Sequence, residues 1–536
     1  MTRAKAPIDH RAPDTDLFGF EIPAKKQRAK PASFGPRKFI NPDPSSIHIG
    51  LTPLEKHLRQ VGCKDPFVVR QLLQELDWST FEQRYAPTGR APYAPMAMMG
   101  LILYGVMQGI SSLRELERLA RMDLGCMWVS GGITPDHANI GRFIVIHEES
   151  LSGDFFEGLT RSVLKRCPSR STRLAGDGTV VESAGSYYRL LKQQAAGEQA
   201  SKARQAADAN PDDPALERAA RQAEKADEVL QQRIEARQAQ GKNTDSVCVS
   251  ATDPEAMMQP LKRGRGRAPS YKSSVLANEQ RIIVAMGLDP SHEVRVIGPM
   301  LDLSKRVLGE DPQSLMLDAG YFCNAIIKEA LERDLDLLCP EGKQAGKAPE
   351  SNHFYLKSQF QYLTDEDAYL CPNEQKLIPI GRCRGKTEES SYVRYGTKAC
   401  GDCPLKAHCT RSEKGRVIKR YASDDAKDAL REVMQHPGAQ KVFSKRQAMV
   451  EPVFSVLGLK QGLKRFRRRG LAGVTREFAL HVLAYNLSRA VALFCLFFGQ
   501  KCRLTGFIRA IQALVDRILD HPAVEPDRGA QHWSPA

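Results

Sequence analysis

The stretch "LAGDGTVVE" (residues 174–182) decides how the fold is read. Its apolar residues and the β-branched pair Val180–Val181 have the character of a buried strand, yet one carboxylate, Asp177, sits inside it. A charge in a buried strand is costly unless something compensates it. A second apolar run, "SLMLDAGY" (314–321), passes from strand to turn at Asp318. If the two strands pair in parallel, both carboxylates occupy neighbouring central positions. Like charges there repel, and Mg²⁺, which takes carboxylate oxygen together with water and phosphate, would neutralise them.

The segments between and around these two runs supply the remaining elements. "YKSSVLAN" and "RIIVAMGL" (271–278 and 281–288) read as a hairpin turning at Glu279 and Gln280. "HEVRVIGPMLDLSKRVLG" (292–309) and "CNAIIKEALERD" (323–334) have helical spacing, and "LDLLCPE" (335–341) reads as a strand. Strand, hairpin, helix, strand, helix, strand predicts an α/β fold with a ribonuclease-H-like (RNase-H-like) core, assigned to residues 169–341. Two insertions interrupt it. One, 186–267, is rich in Ala, Gln, Glu, Lys and Arg and is broken at "NPDDP" (210–214), which predicts an exposed helical hairpin serving as a spacer or a DNA-contacting arm. The other, 342–439, is cysteine-rich and alternates short strand-like pieces with turns. Residues 440–495 then return to the core with its final helices. Ahead of the core, 51–168 reads as a helical, DNA-binding domain. Its segment "TPDHANIGRF" (134–143) caps a short helix that either lies on DNA or packs inside the domain.

The chain has 536 residues and a net charge of +15, which favours a polyanionic partner, first of all double-stranded DNA. A membrane is disfavoured, because the apolar centre "MAMMGLILYGVM" (96–107) has only 12 residues and reads as a buried helix. The opening "MTRAKAPIDHRAPDTD" lacks the apolar segment of a signal peptide, so a reducing cytoplasm, and in a bacterium the nucleoid, is the expected location. The thirteen cysteines are then free thiols or metal ligands. Residues 1–50 read as a basic, mostly disordered arm, and 496–536 as a helix with a disordered tail.

"RQAMVEPVFSVLGLKQGLKRFRRRG" (446–470) adds a third carboxylate, Glu451, the one acid in a window from Lys441 to Gly470 that holds nine Lys or Arg. Pro452 follows it directly and predicts a helix that starts there, with Glu451 at its cap. "DGT" with Asp177, "DAGY" with Asp318, and "VEPVFSVLGLKQGLKRFRRRGL" followed by "ALHVLAYNLSRA" together resemble the DDE transposases of bacterial insertion sequences, in particular the long group related to insertion sequence 1182. The likeness runs from about Ala94 to Ala490 and includes "TDPEA" (252–256) and the cysteine segment.

The resemblance implies metal-dependent DNA cleavage at element ends followed by strand transfer. Asp177, Asp318 and Glu451 would be the catalytic carboxylates around two Mg²⁺ (or Mn²⁺) ions. The partners it implies are the element's terminal inverted repeats and target DNA, bound by a homodimer. Two rivals are an RNase-H-like nuclease or resolvase, and a domesticated DNA-binding protein that no longer cuts. Related families carry a Tyr, Arg, Glu, Lys signature on the glutamate helix; here Arg446, Glu451 and Lys460 stand at a different spacing and no Tyr precedes Arg446. Arg446 and Lys460 are candidate phosphate clamps. Lys464, Arg465, Arg467, Arg468 and Arg469 form a candidate track for DNA phosphates, and Arg263, Arg265 and Arg267 form a second. Cys400, Cys403 and Cys409, with Cys371, make a candidate structural Zn²⁺ site. Cys383 and His408 are competing ligands, and unligated thiols are the alternative.

Overall fold

A computed structural model describes residues 37–167, 172–261, 264–342, 354–355, 357–385 and 390–494. The N-terminal arm up to residue 36, Arg263, and the expected C-terminal helix and tail lie outside the described residues.

The first part is helical. Helix α1 (Pro95–Met107) is buried along almost its whole length and packs against the helices Asp65–Gln74 and Leu124–Ser130. Its all-round apolar character is what a central helix needs. No helix among the described residues is long and apolar enough to cross a membrane. In the helix His137–Ile146, capped by Asp136, the residues Ile140, Phe143 and Ile144 are buried, while His137, Ala138 and Arg142 face solvent.

A six-stranded mixed sheet follows. Its strands are β1 (Arg173–Glu182), β2 (Met257–Pro260), β3 (Arg267–Ala277), β4 (Ile283–Asp289), β5 (Ser314–Met316) and β6 (Asp336–Leu338). The order is β6-β5-β1-β3, and the far edge of β3 is shared between β2 and β4. β1 runs antiparallel to β3 and parallel to β5, with Ala175 opposite Met316. The hairpin turn at Asn278–Ile282 places Arg281 at φ 64, and the Asn278 side chain accepts from the amides of Gln280 and Ile282.

Helix α2 (Ile297–Leu308) packs on β4, and helix α3 (Lys445–Ser455) packs on β1. A last helix, α4 (471–494), is fixed to the sheet by Asn486, which is fully buried. Its Oδ1 accepts from Ile283 N at 2.9 Å and its Nδ2 donates to Ile283 O at 2.8 Å.

Two features differ from the sequence expectation. Met257–Pro260, placed inside the first insertion, is a strand of the central sheet, because its backbone pairs with Arg267–Ser270. The helical hairpin itself (Gln193–Ala209 and Pro214–Gln238) is tied to the segment that leads into β2, with Arg233 donating to the carbonyls of Pro254, Glu255 and Ala256. In the second insertion, the strands Gln361–Leu363, Ala368–Leu370, Lys376–Cys383, Tyr392–Gly396 and Ile418–Tyr421 form a separate antiparallel sheet with its own small core. The helix Asp424–Gln435, by contrast, adds Leu430 to the main core, so the independent part ends earlier than residue 439.

Two buried histidines make the fold acid-sensitive. Burial pushes His147 and His481 down to about 4 from the ordinary 6.5. Their folded forms bind the proton less tightly than the unfolded chain does. The stability they contribute is complete above pH 6.5 and is lost as pH falls toward 4. The melting temperature should therefore fall between pH 6.5 and 4, and His481→Gln should flatten that fall in a thermal scan.

Candidate active site

Parallel pairing of β1 with β5 carries Asp177 and Asp318 to the same level of the sheet. Gly176 permits the close packing beside them, since a Cβ there would lie 2.5 Å from a Leu317 methyl and 2.9 Å from one of Leu276. Asp177 Oδ1 accepts from Gly178 N at 2.8 Å. Asp318 caps a 3₁₀ turn (Ala319–Tyr321), accepting from Gly320 N at 2.9 Å.

The cation beside the pair is Arg446, from the first turn of α3. Its Nη2 lies 3.3 Å from Asp177 Oδ1 and 4.0 Å from Asp318 Oδ2. The guanidinium also donates to Gly176 O from Nε (3.2 Å) and Nη2 (2.9 Å). Burial pushes the Asp177 carboxyl up, Arg446 and the Gly178 amide oppose that, and the charges of Asp318 and Glu293 reinforce it. Arg446, expected on a DNA phosphate, is thus engaged by two carboxylates and a carbonyl.

Glu451 lies on the same helix but outside this cluster. Five residues beyond Arg446 it is turned about 140° around the helix and roughly 7.5 Å along it. It is exposed, and among the described residues it makes no ion pair or hydrogen bond with either aspartate. The helix also does not begin at Pro452. It runs from Lys445 through the proline, because the carbonyl that Pro452 cannot bond, that of Ala448, is taken by Arg281 Nε at 3.0 Å. A π-turn, Val456–Lys460, follows.

The basic segment after this turn is held by its backbone. Lys464 O accepts from Glu182 N, and Phe466 N donates to Glu182 O, so the segment extends β1 as a short parallel partner. The amides of Arg467 and Arg468 donate to the buried Glu477 carboxylate. Gly470 N donates to Asp253 Oδ1, and Leu471 N to Glu255, both in the "TDPEA" stretch. Asp253 is itself buried and accepts from Tyr271 Oη at 2.8 Å. Sequence reasoning missed these three acids as anchors; the signal available was an acidic motif and a basic one in a single chain, with nothing local to show that they meet.

The expected phosphate track divides accordingly. Lys464, Arg465, Arg265 and Arg267 line cavities beside β1. Arg467 donates to Ser111 of the helical domain, and Arg468 lines the cavity between that domain and α4, where burial lowers its pKa. Lys460 and Arg469 are exposed. Cys371, Cys400, Cys403 and Cys409 border one small cavity of about 20 Å³, whereas Cys383 and His408 do not line it. Among the described residues, no group of three or more His, Cys, Asp or Glu side chains is arranged to hold a metal ion. Two donor chemistries are nevertheless present, hard carboxylate oxygens at Asp177 and Asp318 and soft thiols around the small cysteine-lined cavity.

A mixed α/β core thus brings Asp177, in the middle of β1, and Asp318, just past the end of β5, to one level of the sheet, with Lys464, Arg465, Arg265 and Arg267 lining cavities farther along β1. Residues 370–491 match the family model described as a transposase DDE domain, and residues 57–145 match that of a transposase domain known as DUF772. Together the two matches support a DDE transposase of an insertion sequence, an enzyme class that acts on DNA. The first match includes Glu451, the four cysteines and the basic segment, while Asp177 and Asp318 lie before it. No curated protein and no solved structure gives a significant match to the chain.

Proposed function

We propose that the protein cuts DNA at the ends of an insertion sequence and joins the freed 3′-hydroxyls to target DNA. In this reading the order β6-β5-β1-β3-β4 is an RNase-H-like core, preceded by a DNA-recognising helical domain. The observation that carries it is the convergence of Asp177 and Asp318 from parallel neighbouring strands onto one guanidinium. Those two aspartates would hold divalent ions, and Glu451 is assigned as the third carboxylate on the family resemblance. When bound, such ions activate water or a 3′-hydroxyl and stabilise the leaving oxygen at phosphorus.

The chain's own contribution is positioning. Asp177 and Asp318 are fixed by the amides of Gly178 and Gly320, and Arg446 balances their charge and is the group that must yield when a metal enters. The cations along β1 would neutralise backbone phosphates, giving binding that weakens steeply with salt. Synapsis of two element ends calls for two copies, hence a homodimer on DNA.

The test is a Mg²⁺-dependent assay with an oligonucleotide carrying the element end and a separate target duplex. End cleavage followed by a joined product is expected. Cleavage of any branched substrate without joining identifies a nuclease or resolvase instead. Binding without cleavage identifies a non-cutting DNA-binding protein.

A structural Zn²⁺ at Cys371, Cys400, Cys403 and Cys409 belongs to the same reading, supported by the shared cavity of the four thiols. Purified protein should contain one zinc by elemental analysis. Cys403→Ser should lose it together with the stability of the small sheet.

A further inference from the structure

Beyond Glu182 the chain passes through Ser183 and Gly185 into an aromatic pair, Tyr187 and Tyr188. These are 50% and 93% exposed, with ring centroids 5.5 Å apart at 86°. An exposed tyrosine pair contributes nothing to a core, and its surroundings are strongly charged. Two cavities, of about 160 and 240 Å³, lie end to end along β1 and share Leu261 and Arg265 as lining residues. The first adjoins Thr179, two residues past Asp177, together with Lys464. The second runs past Glu182 to Tyr187 and is bordered by Arg267 and Arg465. From Asp177 to Glu182 the strand spans about 17 Å.

The trough is preorganised. Arg465 donates from Nε to Ser183 O at 2.9 Å and from Nη2 to Gly185 O at 2.8 Å, and Arg267 donates to Met258 O. Its single carboxylate, Glu182, is paired with Arg265 at 3.1 Å. Among the described lining residues, four cations against one acid therefore follow a path that begins at Thr179, two residues past Asp177, and ends at the exposed ring of Tyr187, next to Tyr188.

We propose that this trough carries one strand of a DNA end frayed next to the aspartates, and that Tyr187 and Tyr188 stack on an unpaired base. The inference rests on the transposase reading above and adds the form of DNA it acts on. A base inside a duplex has both faces covered, and one at a blunt end is still held in its pair; an unpaired base is free to turn and offer its π-face, and aromatic side chains stack on it without regard to sequence.

The experiment uses the full chain in EDTA, so that no cleavage occurs. Two DNAs of the same sequence are compared, one blunt and one with three unpaired terminal nucleotides that include the fluorescent base 2-aminopurine. The wild type should bind the frayed end more tightly and change the 2-aminopurine emission as the base stacks. Tyr187→Ala/Tyr188→Ala should weaken frayed binding roughly tenfold and leave blunt binding unchanged. Tyr187→Phe/Tyr188→Phe, which keeps both rings, should retain the preference. A wild type that binds the two DNAs equally, or an alanine variant that loses both equally, overturns the stacking proposal. If that same wild type still cleaves and joins blunt ends with Mg²⁺, the transposase reading survives. Failure to bind either DNA overturns both.

Discussion

Asp177→Asn is expected to lower metal-dependent DNA cleavage by at least about a thousandfold while raising the melting temperature at pH 7. The loss follows from removing one of the two carboxylates that converge on the site, since metal-assisted displacement draws several kcal/mol from such ligands and about 4 kcal/mol corresponds to three decades in rate. The gain in stability has a separate origin. Burial, with Asp318 and Glu293 nearby, holds the Asp177 carboxyl above its ordinary value. The folded protein therefore binds that proton more tightly than the unfolded chain does. Its stabilising contribution is complete below the unfolded value of 3.8 and is lost as pH rises through the higher folded value, so at pH 7 the ionised group costs stability. Asparagine removes that cost. Thermal scans of both proteins should differ at pH 7 and converge near pH 3.5. A variant that still cleaves at the wild-type rate removes Asp177 from the reaction.

Arg446→Ala is expected to lower the melting temperature in EDTA and to enlarge the stabilisation produced by Mg²⁺. The guanidinium, with 12% of its side chain exposed, is the nearest cation to Asp177 and Asp318. Without it the two carboxylates face each other uncompensated. Breaking a buried pair costs 3–5 kcal/mol, but Asp177 and Asp318 are 23% and 44% exposed, so about 2 kcal/mol is the scale here. A Mg²⁺ held by the aspartates would not have to compete with a bound cation and should restore most of the loss. Differential scanning with and without Mg²⁺ reads this directly. An equal Mg²⁺ response in variant and wild type would show that Arg446 and the ion do not compete.

Much of the core was legible because its signals are local. The apolar runs around Asp177 and Asp318, the hairpin at Asn278–Ile282 and the buried helix Pro95–Met107 each follow from residue type and spacing. The parallel register that brings the aspartates level follows less directly, since it depends on how strands 141 residues apart meet. Of the three acids the sequence offered, Asp177 and Asp318 come to one level of the sheet, whereas Glu451 lies outside their cluster. Arg446 stood out as a candidate phosphate clamp, and only its place at the foot of α3 shows that the charges it answers are these two carboxylates. Pro452 misled in the opposite direction. The rule that proline opens a helix presumes an unsatisfied carbonyl one turn earlier, and Arg281, far away in the chain, supplies the missing donor.

By itself the sequence determined which segments are buried, where the carboxylates stand along their strands, and that the whole carries an excess of positive charge, because burial period and charge are properties of neighbouring residues. Only the tertiary structure decided which charges meet. It set Arg446 between the two aspartates, used Asp253, Glu255 and Glu477 to hold the backbone of the basic segment, and left Glu451 on an outward face of its helix. Electrostatic pairing falls off over a few ångströms of space, a distance that separation along the chain does not record.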